Sequence, residues 1–352
     1  MNITEALKHH GIGVGKYKVG QYVPVENLGI TVNRNRTFKR TFSTNESITG
    51  LAADSSGSIY LRTYSNSTGT HYFEKFTSDE LGNIQVLFRI TPQDIPPNVY
   101  SQGISLVYID KDNVPYYRTP EKLIKADPVT GASVSSKAFS VSEIYQSEEK
   151  DRFFQYIYDT KTLYGYDLNL NQIGTWSIAS TDIARRGVMI WGSSAYIMDQ
   201  THLVKYDLLS GARVWVTAMY NNLLEMAMDH EHILVFGESN DRRYGTMFCY
   251  SHDGKLLNSL KMGLDAIGNI FVKYGYLYYS LHPTTGENYL IKANKTTFET
   301  INKHFISQST QTSENDFSNL IVEFEKYGFI TRFKESGTQH VSRNPTHFPL
   351  VK

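Results

Sequence analysis

The sequence predicts an all-β fold, a single β-propeller of seven four-stranded blades whose ring is closed by an N-terminal strand. Three observations predict it. A strand–turn–strand unit recurs at intervals near 40 residues along most of a 352-residue chain, which is the period of propeller blades. Tyrosine dominates the aromatics, with 25 Tyr against 18 Phe and 3 Trp, and Tyr is a strand former with a polar tip. Finally, the last copy lacks an outer strand, and a strand-like segment near the N-terminus can supply it.

The clearest copy of the unit is 203–215, LVKYDLLSGARVW. Equivalent positions at the end of the first strand are Asp127, Asp167, Asp207, Ser251 and Asn294, at steps of 40, 40, 44 and 43 residues. A weaker first copy, 71–76, leads into 79–83, and the step from Thr77 to Asp127 is 50. The Asp, Asn or Ser side chain accepts backbone N–H groups two or three residues on and closes a turn. Glycine a few positions later, as at Gly131, Gly211 and Gly254, supplies a positive φ.

Upstream of each unit lies another hairpin. Residues 48–53 with 59–63 begin the first blade. Then follow 104–109 with 114–118, 141–145 with 152–158, 187–191 with 195–198, 224–228 with 232–236, 267–272 with 276–280, and 320–324 with 329–333. An aromatic recurs in the second strand, at Tyr60, Tyr116, Tyr196, Phe236, Tyr278 and Phe329. A regular place in each blade marks these rings for blade-to-blade packing.

Residues 339–344 fit the third strand of the last blade, and the proline-flanked 345–349 that follow are poor strand material. Residues 36–43, RTFKRTFS, alternate apolar and polar, so they are expected to close the ring and remove exposed sheet edges. The domain plan is an N-terminal arm or anchor over 1–29, the propeller over 30–345 and a C-terminal tail over 346–352. In the arm, Thr4 can cap a short helix over 5–10 that Gly11 ends. The run from Gly11 to Lys16 lacks the spacing and the Ser or Thr of a phosphate loop. His9 and His10 point apart on a helix, with no third ligand.

Lys plus Arg number 35 and Asp plus Glu 35. Zero net charge argues against general nucleic-acid or anionic-membrane binding and leaves glycans and protein partners open. One cysteine, Cys249, excludes an intrachain disulfide and a cysteine-rich zinc site; within the apolar run 247–250 it reads as a buried bystander. The start, MNITEALKHHGIGVGK, has no apolar segment after its basic residues, and no apolar run reaches transmembrane length. Synthesis and folding in a cytoplasm, without membrane insertion, are expected.

Few groupings carry chemistry. Asp110-Lys-Asp-Asn113 begins like a calcium loop but lacks the later ligands. Asp229-His-Glu-His232 has ligand types but sits at an inner-hairpin turn. Ser251, His252 and Asp253 are sequence neighbours and cannot form a relay. With no Gly-x-Ser-x-Gly elbow and no assignable carboxylate pair, no catalytic residue, metal or cofactor is expected. Ligand binding is expected on the face holding the loops between blades and the turns between second and third strands. That face carries Tyr100, Arg185, Arg186, Tyr220, Asn221, Asn222, Arg242, Arg243, Tyr244 and His282. Such residues stack on sugars or anchor interfaces, and Arg242-Arg243-Tyr244 suits a phosphate or carboxylate.

Residues 203–215 resemble the repeat of WD-like and quinoprotein-type β-propellers, in which a strand ending in Asp, a Thr/Ser-Gly turn and a Trp strand recur; Trp176 partly repeats Trp215. The resemblance spans roughly 30–345 and implies the fold, not the quinone, which many proteins with this repeat do without. The whole chain, unsignalled and Tyr-, Asn- and Thr-rich with a short arm before a propeller, resembles phage tail or baseplate propeller proteins of Gram-positive hosts. That resemblance implies a non-enzymatic virion component, receptor-binding or structural. It would join other tail or baseplate proteins through 1–29 and engage cell-wall polysaccharide. A cytoplasmic WD-like protein-interaction scaffold is the alternative. A propeller glycan hydrolase is a third reading, which needs two carboxylates near the axis within about 10 Å of each other.

Overall fold

Strand follows strand in the computed structural model, which describes residues 38–78, 83–92, 107–119, 121–139, 143–157, 159–178, 183–199, 201–218, 222–238, 245–262, 266–282, 287–308, 321–325, 328–335 and 338–344. The arm over 1–29 and the tail over 346–352 lie outside the described residues. The first strand is β1 (Phe38–Thr41). Blade 1 comprises β2 (Glu46–Ala53), β3 (Ile59–Ser65), β4 (Thr70–Ser78) and β5 (Ile84–Ile90). Blade 2 comprises β6 (Val107–Ile109), β7 (Pro115–Arg118), β8 (Lys122–Ala126) and β9 (Ser133–Ala138). Blade 3 comprises β10 (Glu143–Gln146), β11 (Arg152–Ile157), β12 (Thr162–Asp167) and β13 (Gln172–Ser177). Blade 4 comprises β14 (Ile183–Trp191), β15 (Ser194–Asp199), β16 (His202–Asp207) and β17 (Arg213–Ala218). Blade 5 comprises β18 (Asn222–Met228), β19 (His232–Glu238), β20 (Gly245–Ser251) and β21 (Leu256–Met262). Blade 6 comprises β22 (Ala266–Lys273), β23 (Tyr276–His282), β24 (Glu287–Asn294) and β25 (Thr300–Gln308). The chain ends in β26 (Ile321–Glu325), β27 (Gly328–Glu335) and β28 (Thr338–Asn344).

Among the described residues, uniform blades number six, against the seven expected. In each, sheet order follows chain order. The remaining four-stranded sheet is composite, in the order β1-β28-β27-β26. β1 runs antiparallel to β28, with Phe38 opposite Arg343 and Thr41 opposite His340.

Burial falls from the second strand outward. Every residue of β3 is buried, whereas the outer strands β9, β13 and β17 expose alternate residues. The apolar clusters do not fill single blades; each joins the facing sides of two neighbours. Tyr60 and Phe73 of blade 1 pack with Val107, Tyr117 and Ile124 of blade 2. Phe154 and Leu163 of blade 3 pack with Ile190, Ile197 and Val204 of blade 4. Leu234 and Met247 of blade 5 pack with Leu277 and Ile291 of blade 6. A blade is therefore stable only beside its neighbours.

The turn after each third strand is built as its sequence requires. Asp127 Oδ1 accepts N–H bonds from Val129 and Thr130 at 2.9 and 2.7 Å. Asn294 Oδ1 accepts from Thr296 and Thr297 at 2.8 and 2.9 Å. Gly131, Gly211 and Gly254 have φ of 76°, 73° and 81°. The ladder to the fourth strand shifts register just before the turn in all six blades, after Lys75, Lys125, Gly165, Lys205, Cys249 and Lys292. Such bulges bend the strand and increase its twist.

These turns also lock blade to blade, because side chains of one blade donate to turn carbonyls of the next. Lys75 Nζ reaches Pro128 O at 3.0 Å, and Tyr116 Oη and Lys125 Nζ reach Leu168 O at 2.7 and 3.1 Å. Trp176 Nε1 reaches Leu208 O at 2.7 Å. Trp215 Nε1 and Lys205 Nζ share His252 O at 3.1 and 3.3 Å. Asn258 Nδ2 reaches Thr296 O at 2.8 Å. The Trp of the recognisable repeat is thus an inter-blade donor.

Candidate functional site

The expected ligand-binding residues divide in two. Tyr100, Tyr220, Asn221, Arg242, Arg243 and Tyr244 lie outside the described residues. The backbone places Arg185 and Arg186 in β14, within the stretch between Ile183 and Val188 where its pairing with β15 is irregular. Asn222 opens β18 opposite Glu238, and His282 closes β23. Arg185, Arg186 and Asn222 thus sit near the starts of the inner strands of neighbouring blades, on one face.

The opposite face, made of turns, is described in atomic detail. Asp110 Oδ1 accepts from the Asp112 and Val114 N–H groups at 2.9 and 2.8 Å, so the calcium-like stretch is an ordinary turn. Ser251, His252 and Asp253 form a turn in which His252 Nδ1 meets Tyr196 Oη at 2.7 Å and Nε2 meets Asp229 O at 2.7 Å. Side-chain ligand atoms of Asp229, Glu231 and His232 lie within 4.8 Å of one another. A cation from the chain already serves this cluster: Lys295 Nζ, from the neighbouring blade, lies 2.5 Å from Asp229 Oδ2 and 2.6 Å from Glu231 Oε2. The Lys295 bond holds the Glu231 carboxyl below its ordinary range.

The most perturbed carboxyl of this face is Glu148, in the turn between β10 and β11. The Glu148 N–H bonds Ile190 O of blade 4 at 2.9 Å, and the neighbouring Glu149 Oε1 accepts from Gly192 N at 2.6 Å. Arg152 Nη2 donates to Gly192 O at 2.8 Å. This fixes the acidic turn against the next blade. Glu148 is exposed at the surface, yet desolvation by the surrounding chain raises its carboxyl to about 7. Lys273, at the end of β22 three blades on, and Lys150 pull it down, and Glu149 pushes it up. Glu148 lies in the turn after the first strand of blade 3, and Lys273 ends the first strand of blade 6. A carboxyl near neutrality under the influence of Lys150 and Lys273 can exchange a proton or pair with an ammonium group.

Sequence reasoning missed Glu148, Lys295 and the lysines 75, 125 and 205. The lysines had a legible signal: each stands two residues before the turn-forming position of its copy. Lys295 and Asp229 are 66 residues apart, and nothing local pairs them.

No protein-family model and no curated protein matches the chain. Solved structures do. A chain of the mitotic checkpoint complex is 9% identical, with TM-score 0.60, covering 90% of this chain and 96% of that one. Streptogramin B lyase is 7% identical, with TM-score 0.55, covering 87% and 97%. BamB from Moraxella catarrhalis is 11% identical, with TM-score 0.51, covering 84% and 85%. The chain is a β-propeller. At these identities the likeness concerns the fold alone.

Proposed function

We propose that this propeller is a non-enzymatic interaction module that docks a protein partner on the outer strands of blades 4 and 5. One observation carries the reading. Val214 and Val216 of β17 are 54% and 46% exposed, and Leu256, Leu257 and Leu260 of β21 are 48%, 42% and 41% exposed. The two strands are sheet edges of adjacent blades. Exposed apolar side chains on open sheet edges are the kind of surface that partners cover. Arg213, Lys255 and Lys261 are exposed beside them, which favours a partner with an apolar centre and an acidic rim.

In the setting that the arm-before-propeller layout suggests, the partner is another tail or baseplate protein and residues 1–29 are the anchor. Arg185, Arg186 and Asn222 then offer the loop face to cell-wall polysaccharide. The composite sheet serves as a seventh, closing blade. Support comes from the β1–β28 pairing, from Val341 packed with Ile48 and Leu61 of blade 1, and from the Arg40 ion pair with Glu74. A double variant, Val216→Glu with Leu260→Glu, should keep its fold and lose partner capture by on the order of tenfold or more. Undiminished capture would remove these strands from the account. Deleting 1–29 should leave a folded propeller that no longer joins its assembly.

Glu148 favours a second reading, a glycan hydrolase with a general acid near neutrality. Glu148→Gln would then abolish cell-wall hydrolysis; under the first reading there is none to abolish.

A further inference from the structure

Arg62 stands in the seam between blades 1 and 2 with nothing among the described residues to receive its hydrogen bonds. Its side chain is fully buried, at 0% exposure. Nε, Nη1 and Nη2 have no hydrogen-bond partner. The titratable group acting on it is Tyr117 of blade 2, whose ring centre lies 5.1 Å from the guanidinium carbon. Burial lowers the group to about 10, so it remains a cation at neutral pH. A buried charge without a counter-charge is among the costliest features a fold can carry. A cation–π contact offsets only part of that cost.

The register shows which position beside Arg62 carries no side chain. Residues directly opposite each other in a sheet share a face. Arg62 lies opposite Phe73 on the outer side and Gly50 on the inner side. Tyr60 and Tyr64 flank it on the same face of β3. Aromatic residues thus occupy the outer, upper and lower positions and the facing blade, while Gly50 leaves the inner position without a side chain. The fold does not require a cation here. The same position in blades 3 to 6 holds Tyr156, Met198, Phe236 and Ser280, opposite Leu163, Leu203, Met247 and Leu290. Uncharged residues fill the slot in those four blades, while blade 2 holds Arg118, opposite Leu123.

We propose that the seam between blades 1 and 2 binds a small carboxylate, held by the Arg62 fork in the space that Gly50 leaves. The planar guanidinium matches two carboxylate oxygens, and full burial restricts the ligand to about the size of formate or acetate. The test titrates formate and acetate into the full-length chain at constant ionic strength, with chloride as a parallel arm, read by melting temperature and calorimetry. Wild type should show a saturable rise in melting temperature with either carboxylate and none with chloride. Arg62→Met should fold and not respond. Arg62→Lys, which keeps the charge without the fork, and Gly50→Ala, which fills the gap, should each bind on the order of tenfold more weakly. A flat wild-type titration, an equal rise with chloride, or an unchanged response in Arg62→Met would each overturn the proposal. If Arg62→Met does not fold, the other two variants decide, and wild-type affinity in both overturns it.

Discussion

Blades 1, 2 and 4 differ from blades 3 and 5 at one repeated position. In the first group a Tyr on the second strand faces a Lys on the third: Tyr60 with Lys75, Tyr116 with Lys125, Tyr196 with Lys205. Each ammonium lies 4.9 to 5.9 Å from its ring centre and donates to a carbonyl of the next blade. In the second group the pairs are Phe154 with Gly165 and Leu234 with Cys249. There the slot is apolar, and in blade 3 Trp176 lies across the glycine. The difference shows that the seam needs volume everywhere, and that the donor to the next blade comes from a third-strand lysine in the first group and from the fourth strand in the second. Blade 3 obtains its donor from Trp176 instead, and blade 4 uses both Lys205 and Trp215.

The comparison can be broken most severely in the apolar group. Phe154→Ala, at a fully buried ring, should cost about 3–5 kcal/mol in urea unfolding. Gly165→Ala comes next. A Cβ there would stand 2.9 Å from Trp176 Cζ3 and 3.2 Å from Phe154 Cε1, so the added methyl should cost about 1–3 kcal/mol. Trp176→Phe keeps most of the ring and removes the bond to Leu208 O, for about 1 kcal/mol in the same assay. Lys205→Met keeps the length of the side chain and loses the ammonium, and should cost about 1 kcal/mol or less. A lysine loss larger than the tryptophan loss would invert the ranking.

The smallest effect concerns pH. The folded state holds the Glu148 proton more tightly than the unfolded chain does, because its carboxyl is raised to about 7 from 4.5. Stability should therefore decline as pH rises across that interval and level off above it. Glu148→Gln should flatten that decline in thermal melts, matching wild type at low pH and exceeding it above neutrality. An unchanged slope would mean that Glu148 is more fully hydrated than this account requires.

Much of the fold was legible because the turn chemistry is local. Asp207 and Gly211 lie within one turn, and each has the role that its residue type predicts. The strand that pairs with β28 was legible from its alternation. The seam donors were not, because a carbonyl donates no sequence signal and the receiving turn lies in the next blade. Arg62 and Glu148 were invisible for a related reason: their surroundings exist only once blades stand side by side. The expected site residues on the loop face were chosen by type, and the chemically perturbed groups that emerged lie mostly on the other face.

The most direct test of the docking surface is a photo-crosslinking residue introduced at Leu257 of the outer strand of blade 5, with Val129, 74% exposed on a blade 2 turn, as the control. In the cell that expresses the intact chain, position 257 should yield one defined adduct that Val216→Glu abolishes, and position 129 should yield none. Equal adducts at both positions, or none at 257, would contradict the interaction reading.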